Sequence, residues 1–352
     1  MKIFNKITNS YKNNTPFVAY RKSNDDTISG VFMNDDSLFY VDDFTEKGFV
    51  FAPFDNQQKA ILFPEDTSEF ISEDFSFDTI DFKEREFSTN EVSKEYHIKL
   101  VDKTIEEIIY NGLKKVVISR KEALEITDFN LIKIYQKLLQ SYKNAFVYVW
   151  FHPKVGLWFG ATPETLLNIE DNIFKTMSLA GTQVYKDTQN VVWKSKELEE
   201  QQLVTDFIES QLEGISSNLK IDKKETIKAG NLLHLSTRVT GTLNENSTLK
   251  TLIRALHPTP AVCGLPRENA KQFILENEQY NRSFYTGFLG ELNFQKNKTV
   301  SESSSLFVNL RCMNIIDKKV SIFVGGGITK DSNAKKEWEE TVSKSKVMKR
   351  VL

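Results

Sequence analysis

An α+β fold is predicted for this chain of 352 residues by two observations. The strand candidates at its end follow one another through short turns and must therefore pair antiparallel. Helical segments interrupt runs of strands instead of alternating with them one for one, which argues against a parallel doubly wound sheet. Nothing in the composition divides the chain: no Gly/Ser- or Pro-rich linker occurs, and no internal repeat is found.

Residues 1–90 are polar and rich in Asp and Phe, with short strand candidates at Gly30–Met33, Leu38–Val41 and Gly48–Phe51. Charge concentrates in Glu65–Glu86 and reads as a solvated face or loop. Helical spacing over Ile105–Leu113 leads into a β-branched strand at Lys115–Arg120. A helix over Leu131–Tyr142 precedes strands at Ala145–Phe151, Gly156–Phe159 and Ile173–Leu179. A long helix covers Lys194–Leu212. Strands follow at His234–Thr242, Phe284–Phe294, Ser305–Ile315 and Lys319–Val324. Helices fall at Thr248–Leu256 and Pro266–Asn277, the second opened by a proline in its first turn, and the chain closes on a helix over Ala334–Met348.

Composition narrows the class of function. Hydrophobic residues make up 40% of the chain and charged residues 27%, normal for a globular protein with a full core. A net charge of −2 gives no global field for nucleic acid or an acidic membrane. The 26 phenylalanines lie in strand-like runs, so they read as core and not as a base-stacking surface. Met1–Tyr11 lacks an apolar signal core, and no apolar run approaches membrane-spanning length. Cys263 and Cys312 stand in no metal-ligand spacing and read as two free thiols of a reducing compartment, with a single disulfide as the alternative. The expectation is a soluble cytoplasmic protein.

Two helices carry acidic pairs at a spacing of three, Glu197 with Glu200 and Glu337 with Glu340. Residues three apart share a helix face, so each pair can aim two carboxylates at one point, as magnesium prefers. Spacing alone does not separate this from ordinary charged helices. Before the second pair lies Val324-Gly325-Gly326-Gly327-Ile328, read as glycines that follow a strand, where bare backbone can approach a ligand. It is neither a P-loop nor a dinucleotide fingerprint.

Other segments carry a resemblance. Phe159-Gly160-Ala161-Thr162-Pro163-Glu164-Thr165-Leu166 resembles the F-G-A-S/T-P-E-x-L motif of chorismate-binding enzymes. Leu179-Ala180-Gly181-Thr182, His234-Leu235-Ser236-Thr237 and Leu256-His257-Pro258-Thr259-Pro260-Ala261-Val262 are similar to further family segments. So are Arg282–Gly287 and the closing block from Gly325 to Thr341. The matches run in family order from about Lys115 to Met348. The resemblance implies one chorismate-binding domain over residues 1–352, an antiparallel β-sandwich wrapped by helices, with 1–90 a divergent part and 95–352 the motif-bearing portion. It implies Mg²⁺ held by Glu200, Glu337 and Glu340, with Glu197 as a weaker fourth candidate.

The branches of this family differ in the nucleophile delivered to C2 of chorismate. Water users carry a lysine before the V-V/I-x-S-R strand, and Lys115 holds that position here. It would have to act as a base although an ordinary lysine is protonated at neutral pH. Glu164 matches the family's general acid, which protonates the departing C4 hydroxyl and so must stay protonated until then. Aminodeoxychorismate synthases carry a lysine at the position of Ala180, which argues against that branch. Arg311 resembles the arginine that pairs with the pyruvyl carboxylate. Tyr285, the backbone around Gly326 and Gly327, His234, Ala180, Gly181, Thr182 and Lys344 are carried over as substrate contacts. Gln201, where the family usually has histidine, and Cys263 depart from the pattern.

The reading is thus isochorismate formation feeding menaquinone or siderophore synthesis. Salicylate synthase is the runner-up, anthranilate synthase component I is third, and a non-catalytic binding scaffold comes last. The expected partner is chorismate itself, with no nucleic acid and no membrane, and family precedent leans to a monomer.

Overall fold

Period-two alternation builds the centre of the molecule. In strand Phe146–His152 the side chains of Val147, Val149 and Phe151 join one apolar cluster, while Phe146, Tyr148 and Trp150 join another. Successive strand residues point to opposite faces, so a strand apolar at every position must be covered on both sides. The computed structural model, which describes residues 2–76, 87, 90–185, 188, 191–229, 232–295 and 301–352, shows what covers it.

Two antiparallel sheets pack face to face. The first holds nine strands in the order Gly264–Leu265, Lys115–Glu125, Lys319–Ile328, Cys312–Ile316, Gly156–Thr162, Phe146–His152, Phe17–Arg21, Thr27–Met33 and Ser68–Asp74. The second runs Ser216–Ile221, Leu232–Leu243, Ile173–Val184, Thr165–Glu170, Ser303–Val308, Phe288–Phe294, Gly48–Ala52, Ile61–Pro64 and Phe39–Tyr40, with Glu225–Ala229 also paired to Leu232–Leu243. Between them lies an aromatic layer that joins Tyr20, Tyr148, Trp150 and Trp158 of one sheet to Phe49, Phe51, Phe63 and Phe307 of the other. Phe63 stacks on Trp150 at 5.1 Å and Phe146 on Phe307 at 4.1 Å between ring centroids. Each ring removed from water there is worth roughly 1.5–3 kcal/mol, and this layer holds many of the phenylalanines.

Helices cover the outer faces. Lys2–Lys12, Leu131–Ser141 and the end of Ala334–Lys349 pack on the first sheet. Ser195–Leu212 and Leu249–Leu256 pack on the second. Glu91–Tyr110 and Arg267–Asn277 close the end of strand Lys115–Glu125. This is the α+β sandwich expected. Residues 1–90 supply strands to both sheets.

Several boundaries differ from the sequence reading. The helix placed at Ile105–Leu113 overlaps only the end of Glu91–Tyr110 and overruns it past the C-cap Asn111; Asn90 caps the start of that helix by accepting the Ser93 N–H at 3.1 Å. Within Glu65–Glu86, read as a solvated face or loop, Ser68–Asp74 is a largely solvated edge strand, and its exposed side chains hid the strand pattern. Residues 77–86 of that stretch lie outside the described residues. Strands Phe17–Arg21, Ile61–Pro64, Thr165–Glu170, Ser216–Ile221 and Glu225–Ala229, and helix Lys2–Lys12, were not anticipated. Pro266 is the N-cap and not a first-turn residue.

Three corrections bear on the site. The expected strand Phe284–Phe294 begins only at Phe288, because Ser283 and Thr286 adopt positive φ and fold residues 282–287 into turns. The expected strand Ser305–Ile315 is two strands in different sheets, Ser303–Val308 and Cys312–Ile316. The glycines Gly325, Gly326 and Gly327 lie inside strand Lys319–Ile328, paired with Ser119, Ile118 and Val117. Both cysteines are buried and free. Among the described residues no helix is long and apolar enough to cross a membrane.

Candidate active site

Two neighbouring strands change sheets side by side, and the site forms at that seam. Gly156–Thr162 leaves the first sheet and the chain re-enters the second as Thr165–Glu170, so Pro163 and Glu164 make the crossing. Ser303–Val308 makes the reverse passage to Cys312–Ile316 through Asn309, Leu310 and Arg311. Hydrogen bonds tie the two crossings together: Val308 N–H to Glu164 O at 3.0 Å, Ala161 N–H to Arg311 O at 3.0 Å, and Thr162 Oγ1 to Val308 O at 2.6 Å. Arg311 takes φ of +46°, a conformation uncommon for a residue with a side chain and concentrated at functional sites.

A cavity opens at this seam. Its walls include Glu164, Ala180, Gly181, Thr182, Glu200, His234, Tyr285, Arg311, Gly326, Gly327, Glu340 and Lys344. Twelve of the fifteen residues singled out from the sequence therefore share one cavity. Lys115, Glu337 and Glu197 stand behind the wall. Val117, Pro163, Ala261, Val262, Thr286 and Leu310 also line it and were given no role in the sequence reading.

Glu164 is buried, and desolvation lifts its pKa to about 8 although Arg311 and Lys115 pull it down. It is therefore a protonated acid at neutral pH. The Arg311 guanidinium makes no hydrogen bond or ion pair among the described residues, so its fork is available to an anion. His234 is buried and its Nδ1 lies 3.0 Å from the Gly181 carbonyl, which can only accept; Nδ1 therefore carries the proton. Burial, then Arg311 and Lys344, lower its pKa to about 3, so the ring is neutral. Among the described residues its Nε2 has no hydrogen-bond partner and is left as an acceptor. Tyr285 is held neutral by burial and stacks on Phe323 at 5.5 Å.

Three carboxylates converge around the glycine strand, each against a lysine. Lys115, wholly buried, lies 3.0 Å from Glu200 Oε1, yet its Nζ lacks a well-directed hydrogen bond. Lys196 lies 2.5 Å from Glu337 Oε1, and Lys344 lies 2.6 Å from Glu340 Oε1 and 2.9 Å from the Gly325 carbonyl. Burial works to raise the Glu340 carboxyl, but Lys344, Lys196 and Arg311 bring it below the ordinary range. Glu337 is raised by burial and by Glu340, against Lys196. Glu197 is engaged elsewhere: its carboxylate accepts the Lys194 N–H at 3.0 Å and caps its own helix. Gln201 is also held away, donating to Ser178, Thr205 and Thr237 in a buried hydroxyl cluster.

The groups able to hold a metal are Glu200, Glu337 and Glu340. Among the described residues no three acidic, histidine or cysteine side chains form a ready-made cage. The donor set is nevertheless all oxygen, which suits a hard divalent cation, and it gathers on a strand without side chains. A Cβ on Gly326 would sit 3.4 Å from Glu337 Oε2 and 3.9 Å from Glu340 Oε1. One on Gly327 would sit 2.4 Å from Glu200 Oε1 and 3.0 Å from Lys115 Cε. Gly327→Ala should therefore fold, since the displaced atoms are ends of flexible side chains, but push Glu200 from Lys115. We expect a change in melting temperature of only a few degrees with loss of most activity. Wild-type turnover in this variant would mean that the Glu200–Lys115 contact does not matter.

The sandwich with a polar cavity of mixed charge at its seam has the form of an enzyme-like ligand-binding fold, and comparison with known proteins gives the family. A family model described as "chorismate binding enzyme" matches residues 55–352. The chain belongs to that family. Its sequence is 30% identical over 252 residues to the vibriobactin-specific isochorismate synthase of Vibrio cholerae, covering 68% of this chain and 62% of that protein. The chain spans half to about three fifths of the length of the first curated relatives it matches. Two solved structures share the fold. The Bacillus anthracis protein described as a 2,3-dihydroxybenzoate-specific isochorismate synthase aligns with TM-score 0.80 at 24% identity, over 99% of this chain and 98% of that one. The menaquinone-specific isochorismate synthase of Escherichia coli aligns with TM-score 0.78 at 20% identity, over 96% and 88%.

Proposed function

We propose that the chain is a Mg²⁺-dependent isochorismate synthase, adding water to C2 of chorismate as the C4 hydroxyl leaves. The observation that carries this reading is Lys115, a fully buried amine just behind the wall of a cavity that also holds a protonated carboxylic acid. Lys115 and Glu164 are close enough to influence each other electrostatically. A base and an acid on one cavity are what an allylic displacement of hydroxyl by water requires. Lys115 takes a proton from the incoming water; Glu164 gives one to the departing hydroxyl, which leaves as water. Arg311 holds the pyruvyl carboxylate in its free fork, and His234 Nε2 accepts from a substrate hydroxyl. Tyr285, Thr182 and Lys344 complete the wall, with Ala180 and Gly181 leaving room beside the ring.

Glu200, Glu337 and Glu340 would hold the Mg²⁺, which when bound offsets the charge of the ring carboxylate against an acidic wall. The similarity to isochorismate synthases supports the same branch. The enzyme would act as a soluble cytoplasmic monomer on a diffusible substrate, its product feeding menaquinone or siderophore synthesis.

Incubation of purified protein with chorismate and Mg²⁺, followed by chromatographic separation, tests the reading. Isochorismate as sole product is expected, and its loss on removing the metal with a chelator. Salicylate with pyruvate would move the chain to the runner-up activity. Anthranilate on addition of ammonia would replace water as the nucleophile, and no turnover in any condition would sink the proposal.

A further inference from the structure

Of the three lysines that face the clustered carboxylates, Lys196 has no role in the reaction just described. It stands in the first turn of helix Ser195–Leu212, one turn before Glu200. It reaches across to the first turn of another helix, Ala334–Lys349, to touch Glu337. The contact is selective between the two carboxylate oxygens. Lys196 Nζ donates to Oε1 at 2.5 Å, while Oε2 is the oxygen that faces the glycine strand, 3.4 Å from where a Gly326 Cβ would stand. Glu340 Oε1 approaches the same point, at 3.9 Å. One oxygen of Glu337 is thus pinned by a cation and the other is presented to the notch. The Glu337 side chain is only 4% exposed and that of Lys196 30% exposed, so the lysine closes the solvent side of the carboxylate.

We infer that Lys196 is a positioning residue for the metal: by holding Glu337 Oε1 it fixes Oε2 toward the Gly326 notch as a ligand. The inference rests on the proposed metal site. A carboxylate with three rotatable bonds that is not held loses side-chain entropy each time it binds. Partners that orient a metal ligand typically govern affinity by 10- to 100-fold when removed. A cation near the notch also repels a divalent ion, and tighter binding on its removal is what repulsion alone would give.

Mg²⁺ binding to the substrate-free protein, measured by titration calorimetry, needs no catalysis. Lys196→Met is expected to weaken binding by at least ~10-fold, and Lys196→Arg, which keeps a donor and the charge, to restore most of it. Melting temperatures without metal show whether the variants fold; should Lys196→Met not fold, Lys196→Gln takes its place in the same titration. Unchanged or tighter Mg²⁺ binding by the neutral variant would overturn the positioning role and leave the metal site standing. Failure of the wild-type protein to bind Mg²⁺ would remove the metal site and this inference together.

Discussion

Lys115→Ala is expected to lower the rate of water addition to chorismate by roughly 10²–10⁴-fold, the usual contribution of a positioned general base. The side chain has no access to solvent and its Nζ sits 3.0 Å from Glu200 Oε1. Truncation removes the proton acceptor and also leaves the Glu200 carboxylate without its partner, so two effects have to be separated. Lys115→Gln keeps a polar group of similar reach but cannot take a proton from water. If the amine acts as the base, both variants fall by comparable factors in kcat, measured by isochorismate formation at saturating Mg²⁺. If the lysine serves only to neutralise Glu200, raising Mg²⁺ should recover activity in the variants. Near wild-type kcat in either variant would remove Lys115 as the base, and with it the main support for water as the nucleophile.

The difference between what could and could not be read in the sequence has physical causes. Glu337 and Glu340 share a helix face by spacing, and the structure gathers both with Glu200 at one strand. Their lysine partners come partly from elsewhere: Lys344 lies on the same helix and was named, whereas Lys196 lies on a different one, and no local pattern joins it to Glu337. The crossing at Arg311 was invisible because apolar alternation continues through it. Apolar residues stand at every second position through it, Leu306, Val308, Leu310 and Cys312, while the layer they enter changes from the outer face of the second sheet at Leu306 and Val308 to the aromatic layer at Cys312, so period two carries no mark of the change of sheet. Only the family motif put Arg311 at the site. The edge strand Ser68–Asp74 was missed for the opposite reason, since a strand whose side chains are largely exposed has no apolar pattern. Glu197 was drawn to the metal by its spacing from Glu200, and its place three residues into a helix also makes it a cap, a role the spacing did not show.

The protonation state of Glu164 was required by the chemistry but could not be derived from sequence, because it follows from desolvation by residues far apart in the chain. With its pKa pushed up to about 8, the acid form should persist through neutral pH and disappear above it. The rate constant kcat is therefore expected to fall on the alkaline side with a midpoint near pH 8, although substrate carboxylates near Arg311 will move that midpoint upward. Glu164→Gln keeps the size and can donate a hydrogen bond but not a proton. It should lose roughly 10²–10⁴-fold in kcat and lose that alkaline limb with it. Stability follows the same group. The folded state holds the proton more tightly than the unfolded chain, whose carboxyl titrates near the ordinary value of 4.5. This group's contribution to stability is therefore fully present below that value and is lost as pH rises through about 8. Glu164→Gln should accordingly gain on the wild type as pH rises, and above pH 8 it should be the more stable by a few kcal/mol, on the order set by the shift. Denaturant melts of both proteins at pH 5 and pH 9 measure the difference. A gap that does not widen between the two pH values would mean that Glu164 is ionised in the folded enzyme, and its assignment as the acid would fall.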